Sequence, residues 1–303
     1  MLSLSVSRPI IVWKRKVILM ERTVYVNGDF CAEAEAKVSI FDRGLLFADG
    51  VYEVVGVLDG KLLDFPAHMN RLDRSLGEIE IPNPLSQDAI LEVHRELVRK
   101  NNLRDGMVYM QVTRGCAERD YVYTNDLKPG VFLFTQEKPL EENEVVKRGA
   151  KLKSVPDIRW ARRDIKSIGL LGQVMAKQEA HVSGADEALL VDADGMVNEG
   201  GSSSAYIIAG DTIITRPLSR DILAGVTRSS LLALTKERGL ALDERAFSLE
   251  EAYAAQECFL TAASLLVCPV VEIDGRKIGD GKAGAMSRQL REIYLAHARA
   301  SAM

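Results

Sequence analysis

From Thr23 onward the chain alternates short apolar runs with turn residues. TVYVNGDFCA sets apolar positions on either side of Asn27-Gly28, which predicts two strands joined by a tight hairpin turn. GVYEVVGVLDGKLLDF repeats the arrangement, with its turn at Asp59-Gly60. After Pro66 the period changes: Met69, Leu72 and Leu76 recur at helical intervals in AHMNRLDRSLGEI. Residues 87–101 predict a second amphipathic helix, and MVYMQVTRG and GVFLFTQE predict strands.

Residues 23–140 therefore read as a smaller α+β domain. The charged, turn-rich stretch KPLEENEVVKRG marks the boundary, and residues 145–303 form a larger α/β domain. There the pattern predicts a strand near Lys151, a helix over 170–182, and a hairpin in EALLVDADGMVNEG. Strands follow in SAYIIAGDTIIT, a helix after Gly225, strands at ECFLTA and VCPVVEIDG, and a last helix over 282–298. No internal repeat is visible, and the absence of regular βαβ alternation argues against a doubly wound sheet. Residues 1–22 read as a flexible extension: Arg8, Lys14, Arg15 and Lys16 interrupt its apolar residues, unlike a secretory signal, and Met20 offers an alternative start.

Composition narrows the function classes. The 303 residues are 47% hydrophobic, enough for a sizeable core. With 39 basic and 43 acidic residues the net charge is -4, which argues against a general nucleic-acid binder. Cys31, Cys116, Cys258 and Cys268 show no CxxC spacing, so they read as reduced thiols of a cytoplasmic protein, not as a disulfide frame or a metal site. No apolar run approaches the ~18 residues of a membrane span. Nucleotide-loop, HExxH and GxSxG motifs are absent. His68, His94, His181 and His297 stand apart on helical stretches and read as packing or surface residues, with no metal implied.

Two segments look chemical. NEGGSSSAY, residues 198–206, sets small residues and hydroxyls behind an acid, an arrangement that admits a phosphate or an ordinary polar hairpin. LAGVTRSSLL, residues 223–232, puts Gly225, Val226 and Thr227 ahead of a helix, where free amides bind an anion or Thr227 simply caps the helix. Neither segment names a reaction.

In order and spacing, SIFDRGLLFADGVYEVV, HMNRLDRSL, VYMQVTRG, DIRWARRDIKSIGLLGQVMAKQEAH, VNEGGSSSAYII and ILAGVTR together make the chain resemble the fold type IV pyridoxal-phosphate enzymes, most of all their D-amino acid aminotransferase branch. The resemblance runs from Val24 to the end. It implies two α/β domains with the cofactor, pyridoxal 5'-phosphate, in the interdomain cleft of a homodimer. Lys166 would form the Schiff base, which needs a neutral amine, and would shuttle the substrate proton. Glu199 would face the pyridine nitrogen, and Leu223 would pack against the ring. Arg71, Ser202, Ser203, Gly225, Val226, Thr227, Ala262 and Ala263 would surround the cofactor and its phosphate. Tyr52, Arg119 and Tyr121 would bind the substrate carboxylate, the last two reaching in from the partner subunit. Arg74 reads as a helix-surface residue.

The chain departs from that branch in several places. Tyr121 stands where the branch has histidine, Ser204 where it has asparagine, and Gly201 where it has the first serine of a run. TAAS, residues 261–264, replaces a threonine-rich stretch. The implied reaction is transamination between a D-amino acid such as D-alanine and a 2-oxo acid such as 2-oxoglutarate or pyruvate. Branched-chain and R-selective amine transaminases and aminodeoxychorismate lyases share fold and lysine and are the alternatives.

Overall fold

The computed structural model describes residues 22–303. The expected extension over residues 1–22 lies, Arg22 aside, outside the described residues.

The first half is an antiparallel sheet with helices on one face. Its elements are β1 (Thr23–Val26), β2 (Asp29–Ala32), α1 (Arg43–Phe47), β3 (Gly50–Leu58), β4 (Lys61–Leu62), α2 (Phe65–Glu78), α3 (Gln87–Lys100), β5 (Gly106–Thr113) and β6 (Gly130–Glu137). The strand order is β2-β1-β6-β5-β3-β4. Both expected hairpin turns form: Asn27 and Gly28 have φ of 50° and 116°, Asp59 and Gly60 of 54° and 77°. These left-handed conformations suit Asn, Asp and Gly and match the twist of the flanking strands.

Along β3 the faces alternate. Val51, Val55 and Val57 pack with Met69, Leu72 and Leu76 of α2 and with α3 residues such as Ile90 and Leu97. Glu53 belongs to the same apolar row and is fully buried. Tyr52 and Val54 point the other way and line the main cavity. Strand alternation thus sends one acid under the helices and one tyrosine into the cleft.

The second half is built on a mixed sheet. Its elements are α4 (Glu144–Arg148), β7 (Ala150–Pro156), α5 (Leu171–Val182), β8 (Glu187–Val191), β9 (Val197–Gly200), β10 (Ser204–Ala209), β11 (Thr212–Thr215), α6 (Val226–Glu237), β12 (Ala241–Glu244), α7 (Leu249–Ala254), β13 (Glu257–Ala262), β14 (Leu266–Ile273), β15 (Arg276–Lys277) and α8 (Ala285–Ser301). The order is β12-β11-β10-β13-β14-β7-β8-β9, with β15 on β14. β7 runs parallel to both neighbours, whereas β8 and β9 form the expected antiparallel hairpin. β9 sits at the end of the order, yet three residues later the chain enters β10, so the sheet curls back toward that strand.

Short elements escaped the sequence pattern. The boundary stretch contains α4, capped by Asn143 on the amides of Val145 and Val146. α7 begins with a Ser248–Glu251 capping box. Five or six residues complete less than two helical turns, too few for a periodic stripe.

The halves meet on several contacts. Leu62 and Met303 exchange two backbone hydrogen bonds at 2.9 and 3.0 Å. The Asp64 carboxylate accepts from Tyr294 at 2.6 Å and from Ser230 at 3.1 Å, joining the start of α2 to α8 and α6.

Candidate active site

One cleft collects residues from both sheets. Tyr52 comes from β3, Arg71 from α2, Lys166 from the loop between β7 and α5, Glu199 from β9, and Leu223, Gly225, Val226 and Thr227 from the entry to α6. Ser202 and Ser203 form one rim, Ala262 and Ala263 another. The structure thus gathers these sequence-selected residues around a single cavity.

Lys166 is fixed through its backbone. Its carbonyl accepts from the Tyr52 amide at 3.0 Å, and its own amide donates to Ser75 Oγ at 3.3 Å. Its Nζ lies 4.1 Å from the Tyr52 ring centroid. Asp164, two residues earlier, ties the loop to α2 through Arg74, 2.7 Å away; Arg74 is partly exposed, as its helix position implied.

Glu199 is buried, and its Oε1 takes Arg159 Nη1 at 2.5 Å. The Leu223 amide donates to both its oxygens, at 3.3 and 3.2 Å. Burial pushes the Glu199 carboxyl above the ordinary carboxylate range, against the opposing pull of Arg159. Arg159 is shared: its Nε and Nη2 donate to Asp157 at 2.9 and 2.7 Å.

Arg71 is also held by an acid. Its Nε and Nη2 bind the two oxygens of Glu53 at 2.7 and 2.8 Å, and Nη1 donates to the Ala224 carbonyl at 3.0 Å. His68 Nδ1 stands 2.7 Å from the same Glu53. Burial raises the Glu53 carboxyl, but Arg71 and then His68 outweigh it and hold it far below the ordinary range. Three bonds leave two of the five guanidinium N–H groups of Arg71 for another anion.

The start of α6 decides between the two readings its sequence allowed. Gly225, not Thr227, is the N-cap, and no side chain caps the helix. Thr227 stands in the first turn, buried, so its hydroxyl does not perform the capping role. The first amides of α6 therefore remain available to an anion. A Cβ on Gly225 would come within 2.8 Å of Ser204 Oγ, so a side chain there would displace the Ser204 hydroxyl. Ser203 Oγ, buried on the opposite rim, has no hydrogen-bond partner among the described residues. Ser202 is committed sideways, donating to Glu187 at 3.1 Å and accepting from Lys177 at 2.9 Å.

Arg119 and Tyr121 lie elsewhere. Both are exposed, on the loop between β5 and β6, and neither lines this cleft. Arg43 anchors that loop by donating to the carbonyls of Asp120 at 2.6 Å and Tyr121 at 3.3 Å. The Tyr121 ring lies 5.3 Å from that of Phe47.

Sequence reasoning passed over Glu53, Asp157 and Arg159, and it took His68 for an isolated packing residue. Each has a partner that is distant in the chain. The visible signal was Glu53 itself, an acid within an apolar strand row.

This donor set matches a flat ligand with an anionic tail. A lysine amine and a buried carboxylate serve the body. Uncapped helix amides, the spare Arg71 donors and the free Ser203 hydroxyl are donors of the kind a phosphate needs. Comparison with known proteins agrees. The family described as amino-transferase class IV matches residues 50–273. The D-alanine aminotransferase of Staphylococcus haemolyticus is 39% identical over 274 residues, 89% of this chain and 96% of that protein. That of Bacillus licheniformis is 40% identical over 270 residues, 88% of this chain and 94% of that protein. Among solved structures, a branched-chain amino acid aminotransferase from T.th., with pyridoxamine 5'-phosphate, aligns with a TM-score of 0.84 at 27% identity, over 91% of this chain and 94% of that one. With the mixed α/β architecture and most of the sequence matched, the chain belongs to the class IV aminotransferase family.

Proposed function

We propose that this protein transfers amino groups between a D-amino acid, such as D-alanine, and a 2-oxo acid, with pyridoxal 5'-phosphate in the cleft. The observation that carries the reading is the convergence of the Lys166 amine, the Glu199 carboxylate and the uncapped start of α6 on one cavity. The D-alanine aminotransferases that it resembles supply the substrate class. When bound, the cofactor supplies an aldehyde that bonds amines and a ring that takes up the electron pair left at the substrate Cα.

The chain's residues do the rest. Arg71, the amides of Val226 and Thr227, and Ser203 hold the phosphate, with Ala262 and Ala263 lining its surroundings. Glu199 would hold the ring nitrogen, and Leu223 would pack on the ring. Lys166 Nζ would take the proton from the substrate Cα and return it to the carbon on the far side of the transferred nitrogen. Tyr52 borders the reacting end.

Arg119 and Tyr121 are assigned to the cleft of a second copy, where they bind the substrate carboxylate; their exposure in this chain agrees with a homodimer. The two domains are taken as residues 23–140 and 145–303, each containing one sheet. Free Cys31, Cys116, Cys258 and Cys268 support placement in the cytoplasm.

The test is a screen of D- and L-amino acids against 2-oxo acids, with product chirality read directly. Turnover of D-alanine that disappears in Lys166→Ala is the expected result. Exclusive use of L-amino acids, or pyruvate release from aminodeoxychorismate without an amino acceptor, would replace this reading with one of its fold relatives.

A further inference from the structure

Behind Glu199 lies a row of alternating charges that the proposed reaction does not use directly. Arg159 joins Glu199 to Asp157; Arg163 Nε lies 3.3 Å from Asp157, and its Nη1 lies 3.3 Å from Asp221. Arg216 continues the row from Asp221, at 3.1 Å, to Asp192, at 3.3 Å. The row runs from a buried acid in the cleft to Asp221, whose side chain is 44% exposed.

Asp157 is the crowded member, with a fully buried side chain. Its Oδ1 accepts from the Arg159 amide and from Arg159 Nε, at 3.1 and 2.9 Å. Its Oδ2 accepts from Arg159 Nη2 and Asn198 Nδ2, both at 2.7 Å. This grip leaves one guanidinium corner, Nη1, to meet Glu199.

We propose that Asp157 is a positioning residue for Glu199: it orients Arg159 so that one corner reaches Glu199 Oε1, and its own charge tempers the positive field there. If Arg159 served Glu199 alone, a two-point grip would pin both oxygens as a closed ion pair. As built, Oε2 receives only the Leu223 amide that it shares with Oε1. That oxygen keeps a lone pair for a proton-bearing ring nitrogen. The proposal rests on the reading of Glu199 given above.

The charge around Glu199 agrees. Arg159 bonds it and Arg71 on α2 couples to it, while Arg163, Lys166 and Tyr52 line the same cleft. Despite these cations, the carboxyl sits above its ordinary range. Burial is the chief cause, and the Asp157 charge acts in the same direction.

The test titrates the Glu199 carboxyl by carbon-13 NMR in the purified full chain, the resonance being assigned by its loss in Glu199→Gln. Asp157→Asn is expected to lower the titration midpoint by about one pH unit, since it removes a negative neighbour from the Arg159–Glu199 pair. Asp221→Asn, at a half-exposed position that threatens folding little, is expected to shift it less and in the same direction. Reconstituted Asp157→Asn should also bind pyridoxal phosphate with altered affinity, while Asp221→Asn stays near wild type. A Glu199→Gln protein with unchanged cofactor affinity and turnover refutes the assigned role of Glu199 but leaves its titration as measured. A midpoint that is unmoved or raised in Asp157→Asn overturns the proposal, and if that variant does not fold, an unmoved midpoint in Asp221→Asn does so.

Discussion

Glu53 and Glu199 are both buried carboxylates paired with arginine, one under the helices and one in the wall of the cleft, and their pKa values are displaced in opposite directions. Glu53 has Arg71 at both oxygens and His68 beside it. Glu199 has one corner of an arginine whose other donors belong to Asp157. Burial penalises both anions, so the number of donors and their exclusivity decide the outcome. A carboxylate with its own cation is a fixed strut. One with a shared cation stays available for chemistry.

The largest expected effect comes from breaking the strut. Glu53→Gln leaves the Arg71 charge buried without its partner and should destabilise the fold by about 3–5 kcal/mol. Urea unfolding measures this; a loss under about 1 kcal/mol would mean that Arg71 finds another anion at no cost.

Glu199→Gln should behave differently. Arg159 keeps Asp157, so stability should change by no more than about 1 kcal/mol, whereas transamination should fall about a hundredfold. Equal loss of stability in the two variants would erase the distinction.

Arg71→Lys keeps the charge beside Glu53 but removes the planar fork. Affinity for pyridoxal phosphate, followed by fluorescence titration, should fall by about 1.5 kcal/mol. No change would assign the phosphate to the α6 amides alone.

The smallest effect is on pH dependence, and its sign separates the pair. Glu53 is depressed, so its contribution is present above the ordinary carboxylate pKa, about 4.3, and is lost as pH falls through its folded value. Glu199 is raised, so its contribution is present below that range and is lost as pH rises through its folded value. Over a pH range that starts near the ordinary carboxylate pKa and rises from there, Glu199→Gln should therefore remove a stability loss that the wild-type chain shows. Thermal melts at the two ends measure it, and an unchanged slope would contradict the raised carboxyl.

These differences were only partly legible in the sequence. The Asn27-Gly28 and Asp59-Gly60 hairpins were, because left-handed turns need those residues. The long helices were, because 14 residues of α2 suffice to show a stripe. Lys166 emerged through the DIKS block and the resemblance, since nothing in its composition separates it from other lysines. Asp157 and Arg159 stood in the same quoted block without a role, because a loop dense in charge looks like a solvated one. Whether Thr227 caps α6 or its amides stay free was open in the sequence, and the helix begins directly after Gly225 with no side-chain cap.

By itself the sequence determined the longer strands and helices and the two hairpin turns, because periodicity and turn chemistry act over a few neighbouring residues. Through its ordered blocks it also determined the family, and it singled out Lys166 for the proposed role. Only the tertiary structure decided which acid answers to which arginine. Glu53 meets Arg71 across 18 positions and Glu199 meets Arg159 across 40, and such pairings depend on how α2 packs on β3 and how the loop after β7 folds over β9. A carboxylate's charge is set by that enclosure, by what it lost in water and what it gained in donors, and neither is written beside it in the chain.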